Sequence, residues 1–357
     1  MSSNQEVSEW VYGTRFLDKI VYWASILSLR IVGFVWWRFR VSGGEKFPQK
    51  EPFLVLANHS SMLDPFLLGA YLPRRVTAMA SASVFRTPFI GAYLKMIGCF
   101  PKMKYTKDRV SMQILQQNFD AGFPILIFPE GNRSWDGRMG PITPGIGRLI
   151  KRMKCKVMYV NLNTASFHQP RWAKYPRWVP IEVNYDGPYE YSEEQSVDEI
   201  WKDVIEKTAI IPKLKDPAKT FGFRMAHGLP AYLWSCPACF TLETLEVSKR
   251  NGNIVECKEC SEEWELDVFN QMKNSKETMT VREAFDKVVS HFGTKPVANA
   301  NYFLEKEIAL ECQDAQLLTF NSETKKMGEK AHGSFVITQE GLAVHDQGEV
   351  RWRTSFS

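Results

Sequence analysis

Two short apolar runs limit what this chain can become. Residues 53–57 read FLVLA and residues 124–128 read PILIF. Runs of this length and composition predict buried strands, and a buried strand needs helices packed against it. Helical spacing supplies them. A helix is expected from Asp64, another over 87–97 with Ile90, Leu94 and Ile97 on one side, and a third over 108–119. Further helices are expected over 144–154, with Pro in the first turn, and over 193–207, with Val197, Ile200, Val204 and Ile205 inward. Segments 75–80, 157–162 and 179–184 read as additional strands. Strands alternating with helices predict a layered α/β domain, a mixed sheet flanked by helices, over 46–212.

Residues 10–37 are apolar and ring-rich, carrying Trp10, Trp23, Trp36 and Trp37. The longest charge-free stretch, between Lys19 and Arg30, is short for a bilayer crossing. Arg15, Asp18, Lys19, Tyr22 and Ser25 share one helical side. We expect one or two amphipathic helices within 1–45 lying in a membrane interface. A single tilted span with Arg30 snorkelling, and a buried soluble helix, are the alternatives. The polar stretch from Met1 to Glu9 lacks the basic start of a secretory signal.

Charge is uneven. Residues 1–230 hold 31 Lys and Arg against 20 Asp and Glu, and the remainder 14 against 20. The basic part suits an anionic partner such as a phosphate, an acidic membrane face or an acidic carrier protein, although an uneven solvated surface would read the same way.

Both buried strands run into polar motifs. After the first comes Asn58-His59-Ser60-Ser61-Met62-Leu63-Asp64-Pro65. A His and an Asp five residues apart can face each other across a helix start; the carboxylate takes one ring nitrogen's proton and leaves the other nitrogen as a base. After the second comes Phe128-Pro129-Glu130-Gly131-Asn132-Arg133-Ser134. Gly131 permits an unusual backbone angle, and Arg133 offers a planar, permanently charged fork for a phosphate.

Taken together, Asn-His-x4-Asp and Phe-Pro-Glu-Gly-x-Arg-Ser resemble the motifs of the glycerolipid acyltransferase family, the 1-acylglycerol-3-phosphate acyltransferase-like enzymes. The likeness covers roughly residues 10–210 and extends to Asp136-Gly137-Arg138 and Pro144-Gly145. It implies that His59 is the general base, that Asp64 orients it, and that Glu130, Gly131, Asn132, Arg133 and Ser134 line the acceptor site. Lys104, which the likeness also places in the acceptor site as a point charge for phosphate, stands where the family usually has Arg, Asn132 where Thr is usual, and Tyr159 at the place of a strand proline. The implied reaction moves a fatty acyl group from an acyl thioester, on coenzyme A or acyl carrier protein, to the free hydroxyl of 1-acylglycerol-3-phosphate, at the cytoplasmic face of a membrane. Glycerol-3-phosphate or another lysophospholipid is the alternative acceptor. A non-catalytic membrane adaptor is the alternative class.

Four of the seven cysteines form two pairs, Cys236-x-x-Cys239 and Cys257-x-x-Cys260. Their spacing predicts a four-thiolate zinc ribbon over 230–268, with Asn251-Gly252-Asn253 as a hairpin turn and a redox pair of Cys-x-x-Cys motifs as the alternative. Four thiolates leave no open position, so the metal is expected to be structural. Cys99, Cys155 and Cys312 are isolated, which excludes a disulfide framework and fits a reducing compartment. Glu243, Glu246, Glu256, Glu259, Glu262, Glu263 and Glu265 surround the pairs and argue against nucleic acid. No redox or nucleotide cofactor is expected. The rest, 275–357, reads as a small α+β tail, with a helix over 280–292 and strands within 332–354.

Overall fold

In the computed structural model the described residues are 10, 16–35, 38–43, 47–103, 108–209, 220–294, 308–321, 326–338, 341–346 and 349–355. The chain divides into two compact units, Met1–Phe285 and Asp286–Ser357.

The first unit opens with helix α1 (Phe16–Val35) and strand β1 (Arg40–Ser42). Then β2 (Leu54–Ala57), α2 (Asp64–Tyr71), β3 (Thr77–Ser81), α3 (Pro88–Met96), β4 (Cys99–Lys102), α4 (Arg109–Asp120) and β5 (Ile125–Ile127) follow. After them come α5 (Gly145–Met153), β6 (Val157–Leu162), the single turn α6 (Ala165–His168), β7 (Glu182–Tyr189) and α7 (Val197–Thr208). The seven strands form one sheet in the order β1-β7-β6-β2-β5-β3-β4. Strands β2 to β6 pair in parallel, β7 runs antiparallel to β6, and β1 is parallel to β7. The sheet is therefore mixed, with β2 near its middle.

Alternation along β2 explains why its sequence is apolar throughout. Phe53, Val55 and Ala57 join a core with Leu67 and Leu68 of α2, whereas Leu54 and Leu56 join a second core with Ile114, Leu115, Ile150, Ile200 and Val204. Each face of the sheet is thus covered by helices, and a strand sealed on both sides has no solvent face to make polar. Each fully buried Leu here contributes about 1.5–3 kcal/mol of burial free energy.

Two boundaries differ from the sequence reading for local reasons. The last strand of the sheet starts at Glu182, not 179. Pro180 has no N–H for a ladder, and its carbonyl instead accepts from Thr164 Oγ1 at 2.6 Å, while Glu182 N donates to that same hydroxyl oxygen at 2.8 Å. Helix α7 starts at Val197, not 193, because Ser196 caps it. The Ser196 hydroxyl accepts from Glu199 N, and the Glu199 carboxylate accepts from Ser196 N.

Helix α1 buries Tyr22 and Ile26 against α2, and Arg30 Nε donates to Ala70 O at 2.7 Å. Its other face carries Phe16, Trp23, Leu27, Ile31 and Phe34, all more than half exposed. Among the described residues, no helix is long and apolar enough to cross a membrane.

Past the sheet, helix α8 (Leu229–Leu233) leads into a five-stranded antiparallel sheet of β8 (Leu245–Val247), β9 (Ile254–Cys257), β10 (Glu263–Leu266), β11 (Gln271–Lys273) and β12 (Thr278–Thr280). The expected turn at 251–253 joins β8 to β9. Trp264, Val255, Met272 and Leu266 form its core together with Leu229, Leu233, Val281 and Ala284, the last two from α9 (Val281–Thr294). Arg177 ties this sheet to the α/β layers. Buried itself, it donates from Nη1 to Val268 O at 3.0 Å and Asn270 Oδ1 at 2.7 Å. The second unit holds an antiparallel meander, β13 (Ile308–Asn321), β14 (Lys326–Thr338), β15 (Gly341–Asp346) and β16 (Glu349–Ser355).

Gly147 lets α5 approach α7. A Cβ at that position would stand 2.5 Å from Val197 O, a backbone atom that cannot swing aside. Gly147→Ala is therefore expected to cost about 1–3 kcal/mol of stability, read as a lowered denaturation midpoint. An unchanged midpoint would mean that the two helices pack with more slack than this distance implies.

Candidate active site

Strands β2 and β5 are neighbours, and both polar motifs lie just past their carboxyl ends, where open α/β sheets display binding groups. The first loop is shaped by Asp64. Leu63, at the N-cap position of α2, offers no capping side chain, and the Asp64 carboxylate folds back over the turn instead. Its Oδ2 accepts from Ser60 N and Ser61 N, each at 2.7 Å, and lies 3.0 Å from His59 Nδ1. Asp64 is fully buried. An ionised carboxylate only accepts, so Nδ1 carries the proton and Nε2 is left as the basic nitrogen. The imidazole stacks on Phe128 with 4.2 Å between ring centres, and its side chain keeps 17% exposure. Asn58 anchors the loop to β6, accepting from Leu162 N at 2.7 Å and donating to Ser60 Oγ at 3.1 Å.

The second loop grips the peptide of His59 from both sides. His59 N donates to Glu130 Oε1 at 2.8 Å, and Ser134 N donates to His59 O at 2.8 Å. The other Glu130 oxygen accepts from Gly140 N at 2.7 Å. Glu130 thus directs both oxygens to main-chain amides. Burial pushes its carboxyl above the usual range, against the pull of those two amides. Gly131 has a φ of +68°, a left-handed conformation that glycine adopts without cost, and closes the turn by donating to Phe128 O. Ser134 is buried, and its Oγ accepts from Gly137 N. Asn132 is half-buried on the same turn. Arg133 is half-buried too. Desolvation and the neighbouring charge of Arg171 lower its pKa, while the charge of Asp64 acts in the opposite direction.

The structure therefore brings His59, Asp64, Glu130, Gly131, Arg133 and Ser134 into one neighbourhood. Lys104 lies outside the described residues. Three contributors were not singled out from sequence. Asn58 and Phe128 are fixed residues of the two motifs to which the sequence assigns no role, and Arg171 belongs to no motif.

The four paired cysteines form a separate cluster. The Sγ atoms of Cys236, Cys239, Cys257 and Cys260 lie within 4.8 Å of one another, with 3.8 Å between Cys236 and Cys260 and 3.7 Å between Cys239 and Cys257. Four thiolates placed about 2.3 Å from one ion at tetrahedral corners stand roughly 3.8 Å apart. The donor set and its spacing therefore fit a metal ion.

Residues 38–162 match the family model described as Acyltransferase. The chain is 29% identical over 149 residues to the 1-acyl-sn-glycerol-3-phosphate acyltransferase of Saccharomyces cerevisiae, covering 39% of this chain and 48% of that protein. It is 26% identical over 160 residues to the Pseudomonas aeruginosa protein of the same name, covering 44% and 60%, and 26% over 130 residues to the human alpha form, covering 36% and 46%. The chain thus spans about half the length of the curated relatives that it matches. The crystal structure of the 1-acyl-sn-glycerophosphate acyltransferase PlsC from Thermotoga maritima aligns with a TM-score of 0.42 at 19% identity, covering 54% of this chain and 85% of that one.

Two outcomes test these geometries. Glu130→Gln keeps one carbonyl acceptor but turns an amide NH2 toward a backbone N–H, so it should destabilise the protein by about 1–3 kcal/mol, measured by chemical denaturation. A neutral effect would mean that water or a loop shift satisfies that amide. Chelation, or Cys257→Ser, should remove bound metal and lower the thermal midpoint by about 10 °C or more. Protein that keeps its midpoint and still shows no metal by elemental analysis would refute the metal site.

Proposed function

The segment 38–162 is an acyltransferase-family domain, and we propose that the chain transfers a fatty acyl group from an acyl thioester to the free hydroxyl of 1-acylglycerol-3-phosphate. One observation carries this reading most directly. The peptide of His59 is clamped by Glu130 and Ser134 of the second motif while its ring is held by Asp64 of the first. Two segments about seventy residues apart in sequence thus converge on one imidazole.

The chemistry requires that convergence. A lipid hydroxyl is a weak nucleophile at neutral pH, so its proton must leave as oxygen attacks the thioester carbonyl. Nε2 of His59 takes the proton. The imidazolium that forms is stabilised by the buried Asp64 carboxylate, which three N–H donors hold in place. Collapse of the tetrahedral intermediate breaks the carbon–sulfur bond, and His59 returns the proton to the departing thiolate. A positioned base of this kind contributes about 10²–10⁴-fold in rate. Arg133 binds the acceptor phosphate, a role for which a planar guanidinium is suited. The thioester is carried by coenzyme A or acyl carrier protein.

The exposed apolar side of α1 supports peripheral or monotopic attachment to the cytoplasmic face of a membrane. Cys236, Cys239, Cys257 and Cys260 would hold zinc as a closed structural site. These residues would tie the 236–239 turn to the β9–β10 hairpin through the ion, and four thiolates would leave it no open position for acyl transfer.

His59→Ala should lower acceptor-dependent release of free thiol at least ~10²-fold while leaving the thermal midpoint near that of the parent, because the ring is partly exposed and its backbone contacts remain. Turnover retained in the purified variant would rule His59 out as the base.

A further inference from the structure

We infer that Arg171 is a second phosphate-binding guanidinium, which with Arg133 forms a two-cation clamp selecting a phosphomonoester headgroup over a phosphodiester. This inference rests on the acyltransferase reading and adds a residue outside the motifs that would enforce its choice of headgroup.

Arg171 lies beyond the stretch matched by the family model, in the crossover between α6 and β7. Its Nη1 donates to Arg133 O at 3.1 Å, and its guanidinium lies over the Trp135 ring, 4.2 Å from the centroid. It is therefore held on the loop that carries Arg133 by two independent contacts. Neither contact neutralises its charge, and among the described residues neither Arg171 nor Arg133 has a carboxylate ion-pair partner. The acidic side chains of this loop do not serve them: Glu130 directs both oxygens to the amides of His59 and Gly140. Asp136 pairs with Arg138 at 2.9 Å, accepts from Tyr232 Oη at 3.3 Å and lies 3.9 Å from Arg282 Nε.

Two half-buried guanidiniums brought to one loop repel each other: Arg171 is anchored on the main-chain oxygen of Arg133, and its charge lowers the pKa of Arg133. Such a pair becomes favourable when an anion sits between them. A phosphomonoester near neutral pH carries close to two charges on three terminal oxygens, enough for two guanidinium forks. A phosphodiester carries one charge on two such oxygens and a bulky substituent where the third would be. Arg133 alone would recognise either. The second cation supplies the difference.

The aromatic stack explains how Arg171 keeps its place. Trp135, on which it rests, stacks on Tyr232 with 6.0 Å between centres, and Tyr232 stacks on Phe285 at 4.8 Å. The clamp is thus seated on a column of rings that continues toward the cysteine ribbon.

The test compares wild-type protein, Arg171→Met and Arg171→Lys in mixed micelles, with 1-acylglycerol-3-phosphate and a lysophosphatidylglycerol of the same chain as acceptors. Free-thiol release gives kcat and KM, and calorimetry with the phosphomonoester lipid gives affinity without turnover. The expected result is a KM for the phosphomonoester raised about 10- to 100-fold in Arg171→Met, with kcat nearly unchanged, little effect on the diester, and partial recovery in Arg171→Lys. Equal losses with both acceptors, or preserved discrimination, would overturn the clamp and leave the acyltransferase reading intact. Conversely, phosphomonoester binding that depends on Arg171 in a protein with no thiol release would support the clamp and remove the acyltransferase reading.

Discussion

A single buried oxygen organises the front of this molecule. Asp64 Oδ2 gathers the amides of Ser60 and Ser61 and the ring nitrogen of His59. Any one of these bonds would be replaceable. All three converging on a carboxylate with no exposure fix the path of the chain from β2 into α2 and the plane of the imidazole together. The arrangement also resolves a conflict in α2, whose N-cap position is occupied by Leu63. The turn that a serine or aspartate would ordinarily cap is held by a residue from within the helix, because the same carboxylate must also reach the ring. Local helix chemistry and site geometry are thus satisfied by one side chain.

The second loop works by a different principle. Its hold on His59 is made through peptide groups and through Glu130, which spans from one loop's main chain to the other's. Site geometry of this kind depends on backbone atoms that any residue would supply, provided the chain follows the same course. Gly131 and the buried Ser134 keep it on that course. The residues chosen at these positions therefore reflect the shape of the turn as much as contact with a substrate.

This division explains what could be read from the sequence. The His59–Asp64 pairing was legible because the two lie five residues apart across a helix start, where geometry follows from local chain direction. The sheet was legible where strands are buried on both faces, and 157–162 matches its observed bounds. The strand over 179–184 was displaced because Pro180 and the Thr164 hydroxyl rewrite the hydrogen bonding, and β1 was missed because three exposed residues leave no apolar pattern. The clasp on the His59 peptide links positions 71 residues apart, and its His59 end is a main-chain amide that carries no compositional mark. Arg171 falls outside every motif, and its hydrogen bond to Arg133 O and packing on Trp135 appear only in three dimensions.

Asp136 has a wider consequence. Its carboxylate, almost completely shielded from solvent, is reached by Tyr232 from α8 and approached by Arg282 from α9, both flanking the cysteine ribbon. A chain ending after α7 would retain every residue of the 38–162 match yet strip two of the groups that surround this carboxylate, together with the rings behind Trp135. The boundary drawn by sequence similarity, at 162, and the end of the compact unit, at Phe285, therefore do not coincide. In thermodynamic terms the ribbon is interior support for the loop it abuts, and excising it as a detachable accessory would convert an ordered turn into a fluctuating one.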